Sequence, residues 1–134
     1  MEERTIKMFR RKKKPLVLVV DDDEDTLLVY DKTLSKAGYD VVMARTGKES
    51  VEVARKDSPD IIIMDIMMPE ADGISSILKL KAYDSTRDIP VIVATSVEEP
   101  DDRIAAENLG VAGYIVKRSN MDTLVNKIEE ALKK

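Results

Sequence analysis

Ile61-Ile62-Ile63-Met64-Asp65-Ile66-Met67-Met68-Pro69 is an apolar run with a single carboxylate set inside it. Its β-branched head favours extended backbone. The run is continuous rather than alternating, which is the mark of a strand covered on both faces, as in a parallel sheet. An ionised Asp65 within such a run is costly unless it is paired, metal-bound or open to water. Its natural place is therefore the strand's carboxyl end.

Three further runs repeat the pattern on either side. Leu16-Val17-Leu18-Val19-Val20 leads into Asp21-Asp22, Val91-Ile92-Val93-Ala94 into Thr95, and Tyr114-Ile115-Val116 into Lys117. Strands are predicted at Leu16 to Val20, Tyr39 to Ala44, Ile61 to Asp65, Pro90 to Ala94 and Gly113 to Val116. Amphipathic stretches alternate with them. The first helix runs from about Glu24 to Ala37, with Leu27, Leu34 and their neighbours as its apolar stripe and Gly38 as its stop. The second opens on Thr46-Gly47-Lys48-Glu49, a capping-box pattern, and ends before Ser58-Pro59. The third follows Gly73 to about Ala82, the fourth spans Pro100 to Leu109 before Gly110, and the last runs from Met121 to Lys133. Repeated βα units imply right-handed crossovers and an α/β fold on a parallel sheet.

In such a sheet, ligands bind outside the carboxyl ends of the strands. Asp21, Asp22, Asp65, Thr95 and Lys117 all fall there. Taken singly, each has an ordinary reading: an acidic helix-capping loop, a salt-bridged aspartate, a packing threonine, a lysine reaching for solvent. Together they are a site for a divalent cation and a phosphoryl group. Mg²⁺ needs one or two carboxylates plus phosphate oxygens and waters, so Asp22 and Asp65 suit direct ligation and Asp21 ligation through water. An aspartate nucleophile gives an acyl phosphate. Lys117 would bring fixed positive charge to the phosphoryl oxygens and Thr95 a hydroxyl hydrogen bond.

The 134 residues suffice for one domain. With no cysteine there are no disulfides or thiolate metal sites, and with no histidine the chain has no imidazole ligand, base or phosphodonor of its own. Charge divides the chain. Residues 1–14 hold seven Lys/Arg against two Glu, whereas residues 15–134 hold fifteen against twenty-four acids. The first segment is expected to be a flexible basic arm ending at Pro15, a solvated tail by default. A nucleic acid, an anionic membrane or an acidic protein would find complementary charge only there. No stretch reaches the roughly 18 apolar residues of a membrane span, and Leu16 to Val20 is too short for a signal-peptide core, so a cytoplasmic location is expected.

Val19-Val20-Asp21-Asp22, Met64-Asp65-Ile66-Met67-Met68-Pro69 with Gly73, Pro90 to Ser96, and Gly113-Tyr114-Ile115-Val116-Lys117 carry a resemblance. In order and spacing they resemble the receiver domain of bacterial two-component response regulators, from Pro15 to the C-terminus. The resemblance implies a flavodoxin-like (βα)5 three-layer sandwich with sheet order 2-1-3-4-5. It implies that Asp65 takes a phosphoryl group from the phosphohistidine of a histidine kinase or histidine phosphotransferase. It also implies Mg²⁺ at Asp22, Asp65 and the Met67 carbonyl, and a switch pair, Thr95 and Tyr114, that rearranges a face read by a downstream protein. Such a chain is no enzyme beyond assisting its own phosphorylation and dephosphorylation. Met67 and Val97 would flank the path of the hydrolytic water, and both are apolar, so a persistent acyl phosphate is expected. One departure stands out: Arg118-Ser119 follows the lysine where the family usually has proline, so a trans bond is expected. Two other classes stay open, a degenerate receiver serving as a phosphorylation-independent binding module and a small flavodoxin-like enzyme or cofactor carrier. The second lacks a Gly-rich phosphate loop after the first strand.

Overall fold

Five parallel strands form the sheet: β1 (Leu16–Val20), β2 (Asp40–Ala44), β3 (Ile61–Asp65), β4 (Val91–Thr95) and β5 (Gly113–Val116). Helices α1 (Glu24–Lys36), α2 (Gly47–Asp57), α3 (Gly73–Ala82), α4 (Pro100–Asn108) and α5 (Met121–Leu132) alternate with them. This is a computed structural model, and it describes residues 14–66, 73–96, 100–117 and 121–133. All but Lys14 of the expected basic arm lies outside these residues, as do Met67, Val97 and the Arg118-Ser119 pair.

Strand order is β2-β1-β3-β4-β5, as the resemblance implied. The sheet is the middle of three layers. Leu18 and Val20 of β1, Ile62 and Met64 of β3 and Val91 and Val93 of β4 pack with Val51 and Ala54 of α2, Ile77 and Leu80 of α3 and Ala106 of α4. The alternate residues Val17, Val19, Ile61, Ile63, Ile92 and Ala94 meet Leu27, Tyr30 and Leu34 of α1 and Leu124 and Ile128 of α5. Burial on both faces is why these strands read as unbroken apolar runs.

Local chemistry sets the helix ends. Asp23 caps α1, accepting from Asp25 N–H at 3.3 Å and from the Thr26 hydroxyl at 2.7 Å. Thr46 caps α2 through Glu49 N–H at 3.0 Å, whereas the Glu49 carboxylate turns to Arg45 N–H at 3.3 Å rather than to Thr46, so the expected box closes one residue early. The α1 stripe also needs correction. Leu27, Tyr30 and Leu34 are buried, but the neighbours Leu28 and Val29 are half-exposed, because positions one and two residues along a helix point away from its buried face. Strand bounds shift by a residue: β2 starts at Asp40, and β4 runs through Thr95 rather than stopping at Ala94.

Candidate functional site

Strand register assembles the site. Val20 lies level with Met64 and Asp65 with Ala94, so Asp21 and Asp65 share a rung at the top of the two central strands. Thr95 pairs with Val116 one rung higher, and Lys117 follows. Adjacent strands stand about 4.8 Å apart, so side chains on one rung are in reach of one another. Backbone bonds hold the rungs: Asp21 N–H donates to Ala44 O at 3.1 Å and Lys117 N–H to Thr95 O at 2.7 Å.

Lys117 ties the carboxylates together. Its ammonium donates to Asp21 Oδ2 and, at 3.1 Å, to Asp65 Oδ2. Asp21 Oδ1 accepts from Asp23 N–H at 2.9 Å. Asp21 and Asp65 are buried, at 1% and 4% exposed, and Asp22 is exposed. Burial pushes the Asp21 carboxyl above its usual value, against the opposing pull of the Lys117 ammonium and the Asp23 N–H. Burial also opposes the charge on Lys117, but the hydrogen bond and charge of Asp21, with those of Asp65, outweigh it and raise the ammonium above its ordinary value.

Carboxylate oxygens of Asp21, Asp22 and Asp65 all lie within 4.8 Å of one another. Ligands on opposite sides of a Mg²⁺ ion stand about 4.2 Å apart, so a small adjustment or one intervening water lets this trio share an ion. An all-oxygen donor set suits Mg²⁺ or Ca²⁺ rather than a thiophilic metal. The residues fit the group.

The remaining sequence-predicted residues sit around this centre. Thr95 is fully buried at the end of β4. Tyr114 lies on β5, in the layer facing α2, α3 and α4, with its hydroxyl end buried. Sequence reading missed one neighbour, Tyr30. Tyr30 is 5% exposed, and burial pushes its phenol up to about 12, with Lys117, Asp21 and Asp65 contributing smaller electrostatic effects. It lines a cleft of about 260 Å³ with Asp25, Thr26, Val29, Lys117 and Met121. Its signal was the three-residue step from Leu27. Gly73, quoted with the acceptor motif, owes its place to close packing, because a Cβ there would stand 2.6 Å from the Asp65 carbonyl oxygen and 2.6 Å from Ile66 Cα. Only glycine lets α3 start against the Asp65 backbone without a shift.

The sequence profile of the response regulator receiver domain matches residues 17–129. The chain belongs to this family. Receiver domains act in two-component signalling as phosphoacceptors, in contact with histidine kinases and downstream effectors. This receiver is 38% identical over 110 residues to the transcriptional regulatory protein PrrA of Mycobacterium tuberculosis, covering 82% of the chain and 46% of PrrA. It is 32% identical over 99 residues to protein PilH of Pseudomonas aeruginosa, covering 74% of the chain and 82% of PilH. Among solved structures, the chemotaxis protein CheY4 of Vibrio cholerae superposes with a TM-score of 0.84 at 28% identity, over 89% of this chain and 99% of that one. The receiver spans less than half the length of the transcriptional regulators it matches, 43% and 46%. No helix among the described residues is long and apolar enough to cross a membrane.

Proposed function

We propose that Asp65 of this receiver accepts a phosphoryl group from a histidine kinase or histidine phosphotransferase with Mg²⁺ bound, and that the modified domain presents an altered face to a downstream protein. The observation that carries this reading is the Asp21, Asp22 and Asp65 cluster with Lys117 bridging two of its members. Asp65 Oδ bonds to phosphorus as the bond from phosphorus to the donor imidazole breaks, and the imidazole nitrogen keeps the electron pair. These 134 residues hold no histidine, so the donor imidazole lies outside them. Lys117 would neutralise charge beside the acceptor, and Thr95, next along from Ala94 which pairs with Asp65, would give its hydroxyl hydrogen bond to the incoming group.

Asp22, Asp65 and the Met67 carbonyl would hold the ion. The Asp21 oxygens already accept from Lys117 and from Asp23 N–H, which favours a role for Asp21 through water. Bound there, the ion would supply positive charge to the phosphoryl oxygens. The domain turns over no substrate other than its own acyl phosphate. A cytoplasmic setting and a basic segment at residues 1–14 outside the receiver complete the reading.

The test is incubation with a small phosphodonor such as acetyl phosphate, with Mg²⁺ or with chelator, read by intact mass. One phosphoryl group gained only with Mg²⁺ supports the proposal. No gain under either condition favours a phosphorylation-independent binding module.

A further inference from the structure

Arg103 lies in α4, three residues before the buried Ala106 and four before Glu107, so the three share one flank of the helix. Its guanidinium carbon stands 5.4 Å from the centroid of the Tyr114 ring on β5. Its Nε donates to Glu107 Oε1 at 3.2 Å. The guanidinium is thus bonded to its own helix while its carbon lies over the ring of the neighbouring strand. A cation within about 6 Å of a ring centroid is attracted by the negative face of the π-system. Arginine's planar fork permits this cation–π contact and the carboxylate bond at once.

Tyr114 is packed inward beneath this cap, with its hydroxyl end buried against the layer of α2, α3 and α4. Glu107 is exposed, and the Arg103 side chain is 48% exposed, so the contact lies at the surface of the domain. A contact at that depth is weak enough to be remade at thermal energies and strong enough to tilt a balance between two ring positions.

We propose that Arg103, aligned by Glu107, is a positioning residue that clamps the Tyr114 ring inward and sets the resting balance of the α4–β5 face. The inference rests on the reading of Tyr114 as a switch and names a residue that governs it. A protein that draws Arg103 onto a carboxylate of its own removes the clamp, so partner binding and ring position become coupled, and the coupling is reciprocal.

Fluorine NMR of protein labelled with 3-fluorotyrosine tests this, with the Tyr114 resonance identified by its loss in Tyr114→Phe. Arg103→Met keeps the aliphatic stem and removes the charge; Arg103→Lys restores a cation without the planar fork. The clamp predicts that Arg103→Met lowers the inward-to-outward ratio about threefold, the change a half-exposed cation–π contact carries, with partial recovery in Arg103→Lys. Glu107→Gln should move the ratio the same way by less. An unchanged ratio in Arg103→Met, or identical behaviour of the Met and Lys variants, overturns the clamp. Beryllofluoride added with Mg²⁺ to the unmodified protein reads the underlying switch separately. A silent Tyr114 resonance there overturns the switch reading, whereas a responding resonance with an unaltered Arg103→Met ratio overturns the clamp alone.

Discussion

Replacing Lys117 by Met keeps the stem and removes the one cation that, among the described residues, contacts both buried carboxylates. At an effective dielectric near 20, unit charges 3.1 Å apart, the distance from Lys117 Nζ to Asp65 Oδ2, attract by about 5 kcal/mol. Breaking a buried pair by deleting one partner costs about 3–5 kcal/mol, because the survivor stays desolvated. Lys117 keeps 19% of its side chain exposed, which puts the expected loss at the lower end, about 3 kcal/mol. With a urea slope of about 1.5 kcal/mol/M for a domain of this size, the unfolding midpoint should fall by about 2 M. Circular dichroism during urea titration in chelator measures it. Two further signs follow. Burial already holds the Asp21 carboxyl above its ordinary value, and loss of the Lys117 ammonium raises it further. A folded value above the unfolded one means protonation favours the native state, so the deficit is largest at neutral pH and shrinks in mild acid. Mg²⁺ should return part of the lost stability by replacing the missing positive charge. An unchanged midpoint in chelator, or a deficit equal at both pH values, would refute the reasoning.

Asp22→Ala should weaken Mg²⁺ binding and slow phosphorylation without lowering stability in chelator, since Asp22 is exposed; isothermal titration and labelling rates check it. Tyr30, held at about 12, contributes stability that is full below pH 10 and lost as pH rises through 12, about 3 kcal/mol in all. Denaturation across that range should show the slope, and Tyr30→Phe should flatten it. The acyl phosphate should persist because Met67 and Val97 cannot orient a water; Met67→Asn with Val97→Glu should hasten its decay roughly tenfold, about 1.4 kcal/mol of barrier.

The layers and strand order were legible because each strand is buried on both faces, which leaves continuous runs such as Leu16 to Val20 that only a covered parallel sheet explains. Asp65 was legible for the same reason, as a lone charge in the most apolar run of the chain. Pairing was not. Lys117 and Asp21 are 96 positions apart, and nothing local in either segment records that one ammonium bridges both acids. Arg103 over Tyr114 likewise depends on how far α4 leans across β5, which backbone packing decides. Leu28 and Val29 misled because an apolar helix residue signals burial only when its rotational position agrees.

The central claim is that Asp65 carries the phosphoryl group. Borohydride reduces an aspartyl phosphate to homoserine and so marks the modified residue permanently. After treatment with acetyl phosphate and Mg²⁺, then borohydride, peptide mass spectrometry should find homoserine at position 65 and at no other aspartate, with none in Asp65→Asn. Homoserine at Asp21, Asp22 or elsewhere, or its absence from position 65 in protein shown to be labelled, would contradict the account.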